Sequence, residues 1–267
     1  MENARPFLKW AGGKRQLLPE LLRRCPPSYG RYFEPFLGGG ALFFALRPER
    51  ATLADVNARL IRTYQGVRDD VEALIQALKG YPYEETFFYE LRKKNIDACS
   101  DTELAAWFIY LNKTGFNGLY RVNRDNQFNV PFGRYAKPNT CDEATLRACS
   151  RALVDADLTV DDFAAVAERA QRGDFVYFDP PYMPLSATSS FTSYTSSGFD
   201  EERQSCLCEV ARTLKGRGVH VLLSNSATPF IRKLYTESGF AVSRVSATRM
   251  VNSKVSGRGA IDELVIT

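Results

Sequence analysis

The sequence predicts an α/β fold: a mostly parallel sheet with helices on both faces, interrupted by a largely helical insert that leads into a β-hairpin. Three observations predict it. Short apolar runs alternate with helical patterns toward both ends of the chain, the order of a parallel sheet. Between them, Leu60, Ile61, Tyr64, Val67, Val71, Leu74, Ile75 and Leu78 recur at spacings of three and four. Residues 119–122 and 127–130 flank Asn123-Arg124-Asp125-Asn126 as strand, turn, strand. The 267 residues suffice for one large domain or for one domain carrying an insert.

Element by element, Leu17, Leu18, Leu21 and Leu22 predict an N-terminal helix, Pro26-Pro27 breaks it, and Arg31-Tyr32-Phe33 reads as a short strand. Glu34-Pro35-Phe36-Leu37-Gly38-Gly39-Gly40 follows, and Ala41-Leu42-Phe43-Phe44 opens a helix. Strand, glycine loop, helix is the start of a nucleotide-binding unit, because glycines let a ligand approach the backbone near a helix N-terminus. The next strand, 51–54, ends in Asp55, at the spacing where an acid meets ribose hydroxyls. Phe43 stands where a dinucleotide fingerprint needs a third glycine or alanine, and Gly12-Gly13-Lys14 lacks the upstream glycine and following Ser/Thr of a P-loop. NAD and ATP therefore fit poorly. S-adenosylmethionine, which carries no phosphate, needs only a gap beside Gly38 and Gly40, with Asp55 for its ribose.

Ser100 with Glu103 is a capping-box signature before Leu104, Trp107, Phe108 and Leu111, and Thr140 with Glu143 predicts another before a helix over 144–153. Alternation resumes with a strand over 157–160, an apolar strand over 175–178, a helix over 200–214 and a strand over 219–223. A helix opened by Thr228 and Pro229 and late strands ending at Thr267 complete the chain. The Ser/Thr-rich stretch 186–197 reads as a loop between ordered elements.

Composition narrows the classes. No apolar stretch is long enough for a membrane span, and residues 1–5 lead into no signal-type core, so a soluble, cytoplasmic protein is expected. Six cysteines contain no C-x-x-C pair and the lone histidine, His220, sits in a strand pattern, so no metal is expected and His220 reads as structural. Cys206 and Cys208 fall in a helical pattern as buried or inert thiols. The net charge of +4 is local. Lys113, Arg121, Arg124, Arg134 and Lys137 face one acid, Asp125, within 112–137, which leaves the rest of the chain neutral in sum. That window also holds Phe116, Tyr120, Phe128, Phe132 and Tyr135, and a ribbon studded with Arg and Asn, Asn123 among them, fits a major groove. An ordinary solvated hairpin is the bland alternative.

Asp179-Pro180-Pro181-Tyr182 ends the apolar run 175–178 and gathers a carboxylate, two carbonyls without N–H groups and an aromatic face. The set suits chemistry on an exocyclic amine. Adenine N6 is a poor nucleophile because its lone pair is delocalised into the ring, and acceptors on its N–H bonds favour the pyramidal geometry. Asp179 and the Pro180 carbonyl are the candidate acceptors, and Tyr182 is the stacking face for a base that has left the duplex. A turn after a buried strand is the alternative.

These pieces together resemble the Dam-type DNA adenine-N6 methyltransferases. The resemblance rests on Pro6-Phe7-Leu8-Lys9-Trp10-Ala11-Gly12-Gly13-Lys14, Glu34-Pro35-Phe36-x-Gly38-x-Gly40, Leu53-Ala54-Asp55-x-Asn57, Asn117-Gly118-Leu119-x-Arg121, the run from Phe128 to Tyr135, and Asp179-Pro180-Pro181-Tyr182-x-Pro184-Leu185. It implies a Rossmann-like S-adenosylmethionine-dependent methyltransferase sheet with an inserted target-recognition domain. The expected boundaries are 1–56 and 145–267 for the two parts of the catalytic domain and 57–144 for the insert.

The resemblance also implies roles. Trp10, Lys14, Phe36, Gly38, Gly40 and Asp55 would surround the cofactor, with Asp162 and Phe163 by its adenine and Asp179 at the reacting end. Lys9, Asn117, Leu119, Arg121 and Pro131 would contact bases and groove, Arg121 by a fork matched to guanine O6 and N7. GATC in double-stranded DNA is the implied site, and Phe191, Thr192 and Tyr194 would organise the extruded base. The segment 250–259 does not align with the family. A monomer is expected, with a companion restriction endonuclease as a genetic rather than physical partner, in a bacterial or phage setting. Two rivals stand beside this reading: an RNA or protein-amide methyltransferase with a similar pocket, and a non-catalytic DNA-binding regulator that would need no cofactor loop. Single residues have ordinary readings too: Trp10 as core, Lys14 as a solvent charge at a helix start, Asp55 as a helix cap, Arg121 as an ion-pair partner of Asp125.

Overall fold

Strand β1 (Tyr32–Glu34) lies between β2 (Ala51–Asp55) and β4 (Phe175–Phe178) and runs parallel to both. The computed structural model describes residues 3–14, 16–182, 199–248 and 260–267. β5 (His220–Ser226) continues the parallel set beside β4, while β7 (Ala260–Ile266) and β6 (Val242–Thr248) close that edge antiparallel. With β3 (Ala156–Val160), the order among the described residues is β3-β2-β1-β4-β5-β7-β6, a mixed sheet that is parallel where the βα alternation predicts it. The chain leaves β1 toward β2 and later returns to β1's other side as β4. Such a switch point is where open α/β sheets bind ligands, beyond the C-terminal ends of the strands.

Contacts divide the chain into two units. One comprises Lys14–Leu37, Pro48–Ala54 and Asp161–Thr267. Strand residues alternate between faces, and here both faces are apolar. On one face Phe33, Val176, Phe178, Leu223, Leu264 and Ile266 pack with Val166 of α8 (Val166–Arg169), with Leu207, Cys208, Ala211 and Leu214 of α9 (Glu201–Gly216), and with Ile231 and Tyr235 of α10 (Pro229–Glu237). On the other, Tyr32, Phe175 and Tyr177 are fully buried, with Tyr29 against Phe175 at 5.4 Å. The predicted starts of α9 and α10 are in place, since Asp200 accepts from the Arg203 N–H and Thr228 from the Ile231 N–H, with Pro229 in the first turn. The predicted N-terminal helix is α1 (Leu18–Arg24). Cys206 is exposed, unlike the buried Cys208 two residues on.

The other unit comprises Met1–Gly13, Gly38–Arg47 and Asp55–Val160. It contains α2 (Ala41–Leu46), α3 (Ala58–Asp69), α4 (Val71–Lys79), α5 (Glu85–Lys93), α6 (Asp101–Thr114) and α7 (Glu143–Leu153). The apolar stripe over 60–78 runs through two helices, α3 and α4. Asp70 breaks it with φ −146°, and its side chain accepts from the Ala73 N–H to start α4. α6 is buried from Leu104 through Asn112, and its Ser100–Glu103 capping box is complete. The second predicted box does not form. Asp142 stands at the N-cap of α7 and accepts from the Thr145 N–H, so Thr140 has no capping part. The hairpin holds isolated bridges, Val122 to Phe128 and Gly115 to Phe132, in place of two continuous strands. Asn117 and Gly118 take left-handed φ values in one arm, and Pro131 cannot donate from the other.

Candidate active site

β4 is buried at all four positions and delivers Asp179 to the C-terminal edge of the sheet. Lys14 Nζ lies 2.8 Å from Asp179 Oδ1, and the Ser224 hydroxyl donates to the same oxygen at 2.9 Å. The Tyr177 hydroxyl is 2.8 Å from Ser224 Oγ, so a chain of hydroxyls leads from the sheet face to the carboxylate. Both contacts load Oδ1, which leaves Oδ2 as the oxygen Asp179 can present to a substrate. The Lys14 side chain is 4% exposed and that of Asp179 22%, so Lys14 is a buried counter-ion rather than a solvent charge. Burial raises the Asp179 pKa, Lys14 and Ser224 pull it down, and Glu263 pushes it further up.

The rest of the tetrapeptide is tethered as well. Lys14 Nζ lies 4.5 Å from the centroid of the Tyr182 ring, and the Tyr182 hydroxyl donates to Glu263 Oε2 at 2.5 Å. The Pro181 carbonyl accepts from Gln204 Nε2 at 3.3 Å, and Gln204 Oε1 accepts from Asn225 Nδ2 at 2.9 Å. Gln204 and Asn225 are fully buried, where an unpaired amide would be costly, so their pairing fixes the backbone beside the buried Pro180.

Within the same unit, Phe36 and Phe163 stack with centroids 5.4 Å apart and Phe199 meets both edge-on. The Arg203 guanidinium sits 4.7 Å from the Phe163 centroid and is ion-paired to Asp162 Oδ2. Asp162 Oδ1 accepts from the Ala164 N–H and caps the short 3-10 turn that carries Phe163. A cleft beside them is lined by Phe33, Pro35, Thr52, Ala54, Asp161, Asp162, Ala165, Val166 and Arg169.

In the other unit, Gly38 and Gly40 take φ values of 46° and 63°, which side chains resist. The Gly38 N–H donates to Asp55 Oδ2 at 3.1 Å, the Asn57 N–H donates to Oδ1 at 2.9 Å, and the Tyr64 hydroxyl donates to the Gly38 carbonyl at 3.1 Å. Asp55 thus closes the glycine loop, and the cap of α3 is Asn57. Burial raises the Asp55 pKa, and the two N–H bonds oppose it. The gap expected beside Gly38 is filled on its side-chain side: a Cβ there would lie 2.7 Å from Trp10 Cδ1. Trp10 is partly exposed rather than core, and it stacks on Phe108 and Tyr120.

The basic hairpin belongs to this unit too. Asn112, fully buried, accepts from the Lys9 N–H and donates to the carbonyls of Lys9 and Gly118, which brings Lys9 beside Asn117 and Leu119. Lys9 Nζ lies 4.3 Å from the Tyr135 centroid. Arg121 donates to Asn129, Nε to Oδ1 at 2.7 Å, and not to Asp125. Asn123 Oδ1 accepts from the N–H groups of Asp125 and Gln127, so its oxygen builds the turn. Arg124, Arg134, Lys137 and Pro131 are exposed. Lys113 is half-buried, and burial together with the charges of Lys9 and Arg5 lowers its pKa to about 8. Tyr120 and Phe128 turn inward onto Phe108 and Trp107, whereas Phe116 is 48% exposed.

The family described as D12 class N6 adenine-specific DNA methyltransferase matches residues 10–251. The chain belongs to that family. The type II methyltransferase M1.LlaDCHI of Lactococcus lactis subsp. cremoris is 45% identical, covering 99% of this chain and 95% of the relative. The type II methyltransferase M.MjaIII of Methanocaldococcus jannaschii is 41% identical over 99% of both chains. The DNA adenine methylase of Escherichia coli K12 is 37% identical, covering 99% of this chain and 95% of that enzyme. The protein is a DNA methyltransferase specific for adenine N6, as the Dam-type resemblance implies.

In this D12-class enzyme the structure brings Lys14, Asp179 and Tyr182 together in one unit, and Gly38, Asp55 and Trp10 in the other. Sequence reasoning missed Ser224, Glu263, Gln204, Arg203 and Tyr64. For Ser224 a signal existed: the run 221–223 turns polar at Ser224-Asn225-Ser226, as 175–178 does at Asp179. The residues Phe191, Thr192 and Tyr194, the stretch 186–197 and the segment 250–259 lie outside the described residues.

Proposed function

We propose that this enzyme transfers the methyl group of S-adenosylmethionine to adenine N6 in duplex DNA, at GATC, once the base has swung out of the helix. The observation that carries the reading is the Asp179 carboxylate, anchored through Oδ1 by Lys14 and Ser224 at a partly exposed strand end. Oδ2 accepts one N–H of the amine and the Pro180 carbonyl the other. Both bonds draw the nitrogen toward pyramidal geometry and aim its lone pair away from them. Tyr182 stacks the purine on the ring face opposite Lys14. Positioning and exclusion of water supply most of the rate.

The residues fit the cofactor. The cleft around Pro35, Ala54, Asp161, Asp162 and Val166 pairs apolar walls with two carboxylates that are already neutralised by Arg169 and Arg203, a lining that suits an uncharged adenosine. Asp55 is the acid for the ribose, and Phe36, Phe163 and Asp162 bound the adenine. When bound, S-adenosylmethionine supplies a methyl carbon already activated by its sulfonium.

Lys9, Asn117, Leu119, Arg121 and Pro131 read the site, while Lys113, Asn123, Arg124, Arg134 and Lys137 hold the backbone. The enzyme acts as a cytoplasmic monomer, and the type II names of two relatives support a companion endonuclease. The test is tritiated methyl incorporation into GATC duplexes and scrambled controls, with Asp179→Ala alongside. Incorporation confined to GATC and abolished in Asp179→Ala is expected; an active Asp179→Ala variant overturns the mechanism, and equal labelling of the controls overturns the site.

A further inference from the structure

Glu263 is an acid that shares a strand face with the fully buried Val265. β7 alternates, so Leu264 and Ile266 enter the apolar cluster beneath α9 and α10, whereas Glu263 and Val265 share the opposite face. On that face Val265 is fully buried and pairs with Ser224, and Glu263 pairs with Ser226. The carboxylate therefore stands among groups that serve Asp179, and its charge works against the ionisation of Asp179. An acid placed beside a second acid raises the energy of both unless it does something else. It receives the Tyr182 phenol hydrogen, at 2.5 Å, the length of a charge-assisted O–H to carboxylate bond.

We propose that Glu263 is the positioning residue of the catalytic tetrapeptide: it anchors the Tyr182 hydroxyl so that the ring stands at a fixed angle before the target base arrives. The proposal rests on the reading of Tyr182 as the stacking face for the extruded adenine. The ring has two freedoms, swing about its χ1 bond and twist about χ2. The Glu263 bond fixes where the hydroxyl end lies, and the Lys14 ammonium on one face fixes the plane. Asp179 and Tyr182 are then pinned from neighbouring strands, one by Ser224 of β5 and the other by Glu263 of β7. The incoming purine meets a surface already ordered, and none of its binding energy goes into ordering that surface.

The experiment measures single-turnover methylation of a GATC duplex at saturating DNA and S-adenosylmethionine, with 2-aminopurine at the target position reporting the unstacked base by fluorescence. Glu263→Ala should slow the single-turnover step about 10- to 100-fold, the loss expected when one charge-assisted bond ordering a reacting group is removed. S-adenosylmethionine affinity should be unchanged. Tyr182→Phe, which keeps the ring and loses the hydroxyl, should slow it equally, and the double variant should be no slower than either single one. In both, 2-aminopurine should stack less well on its ring partner and shift its bound-state fluorescence. Glu263→Gln, whose amide oxygen still accepts the phenol hydrogen, should recover the rate to within about threefold. If Glu263→Ala does not fold, the contrast between Tyr182→Phe and Glu263→Gln decides alone. A wild-type rate in Tyr182→Phe or Glu263→Ala, multiplying losses in the double variant, or a Glu263→Gln rate as low as that of Tyr182→Phe overturns the proposal while leaving the methyltransferase intact. A wild-type enzyme that methylates no adenine overturns the underlying reading instead.

Discussion

At Asp179 two demands oppose each other: the carboxyl must be ionised to accept an amine hydrogen, yet burial favours its protonated form. Lys14, itself buried, is the strongest force keeping the charge. Methyl transfer should therefore fall on the acid side at a higher pH than an exposed aspartate would give, since activity is lost as pH drops through the raised pKa. Lys14→Met should move that limb to still higher pH; single-turnover rates across pH measure it, and a limb that moves down contradicts the assignment. Ser224→Ala removes the second Oδ1 donor and strands the buried Tyr177 hydroxyl, so it should cost about 1–3 kcal/mol in stability as well as activity, read by urea denaturation and rate. Lys113 presents the reverse case. Its pKa of about 8 lies below that of a free lysine, so below pH 8 the folded state bears the full penalty of a half-buried charge. The penalty shrinks as pH rises from about 8 toward the unfolded value of about 10.4 and is gone above it. Lys113→Met should accordingly raise the melting temperature at pH 7 and lose that advantage near pH 10.5, while weakening DNA binding. Equal melting temperatures at pH 7 would argue that Lys113 is solvated.

At the scale of the element, the hairpin depends on a neighbour. Its two bridges are few, and its turn is held from α3, where Arg59 donates Nη1 to the Asn126 carbonyl at 2.6 Å and grips Asp97 with its other two nitrogens. Arg59→Met should leave cofactor affinity unchanged and reduce discrimination between GATC and single-base variants about tenfold, since a loosened turn misplaces direct base contacts worth about 1–3 kcal/mol each. Competition binding with altered duplexes would show it. The hairpin also marks where sequence reading stops. The turn was legible because Asn and Asp at 123–126 have local chemistry. The choice of which aromatics face outward was not, because Tyr120 and Phe128 are buried by Phe108 and Trp107 of α6, and no local pattern announces a distant helix. The capping residues divide the same way. Thr228 and Asp200 were found by short-range pattern, whereas Asp142 displaced Thr140 by a difference of two positions that pattern alone does not resolve.

For the whole molecule, the parallel part of the sheet and the motif that closes β4 follow from alternation in the chain, but the strand order and the partners of Asp179 and Tyr182 do not. Tyr182 and Glu263 are 81 residues apart, and only the antiparallel insertion of β7 beside β5 brings them together. Charge is the long-range property that the sequence does specify. The +4 of the chain is concentrated in 112–137, with Arg124, Arg134 and Lys137 exposed there. If those three side chains neutralise three phosphates, the logarithm of DNA affinity should fall with the logarithm of salt at a slope of about −2.7. Lys137→Ala should make the slope shallower by about one unit and weaken cognate and scrambled duplexes alike, because a phosphate contact carries no sequence information. Arg121→Ala should instead narrow the gap between cognate and scrambled duplexes. Titrations across salt concentrations for these two variants separate a positioning charge from a reading one, and identical behaviour in both would mean that the hairpin binds DNA through charge alone.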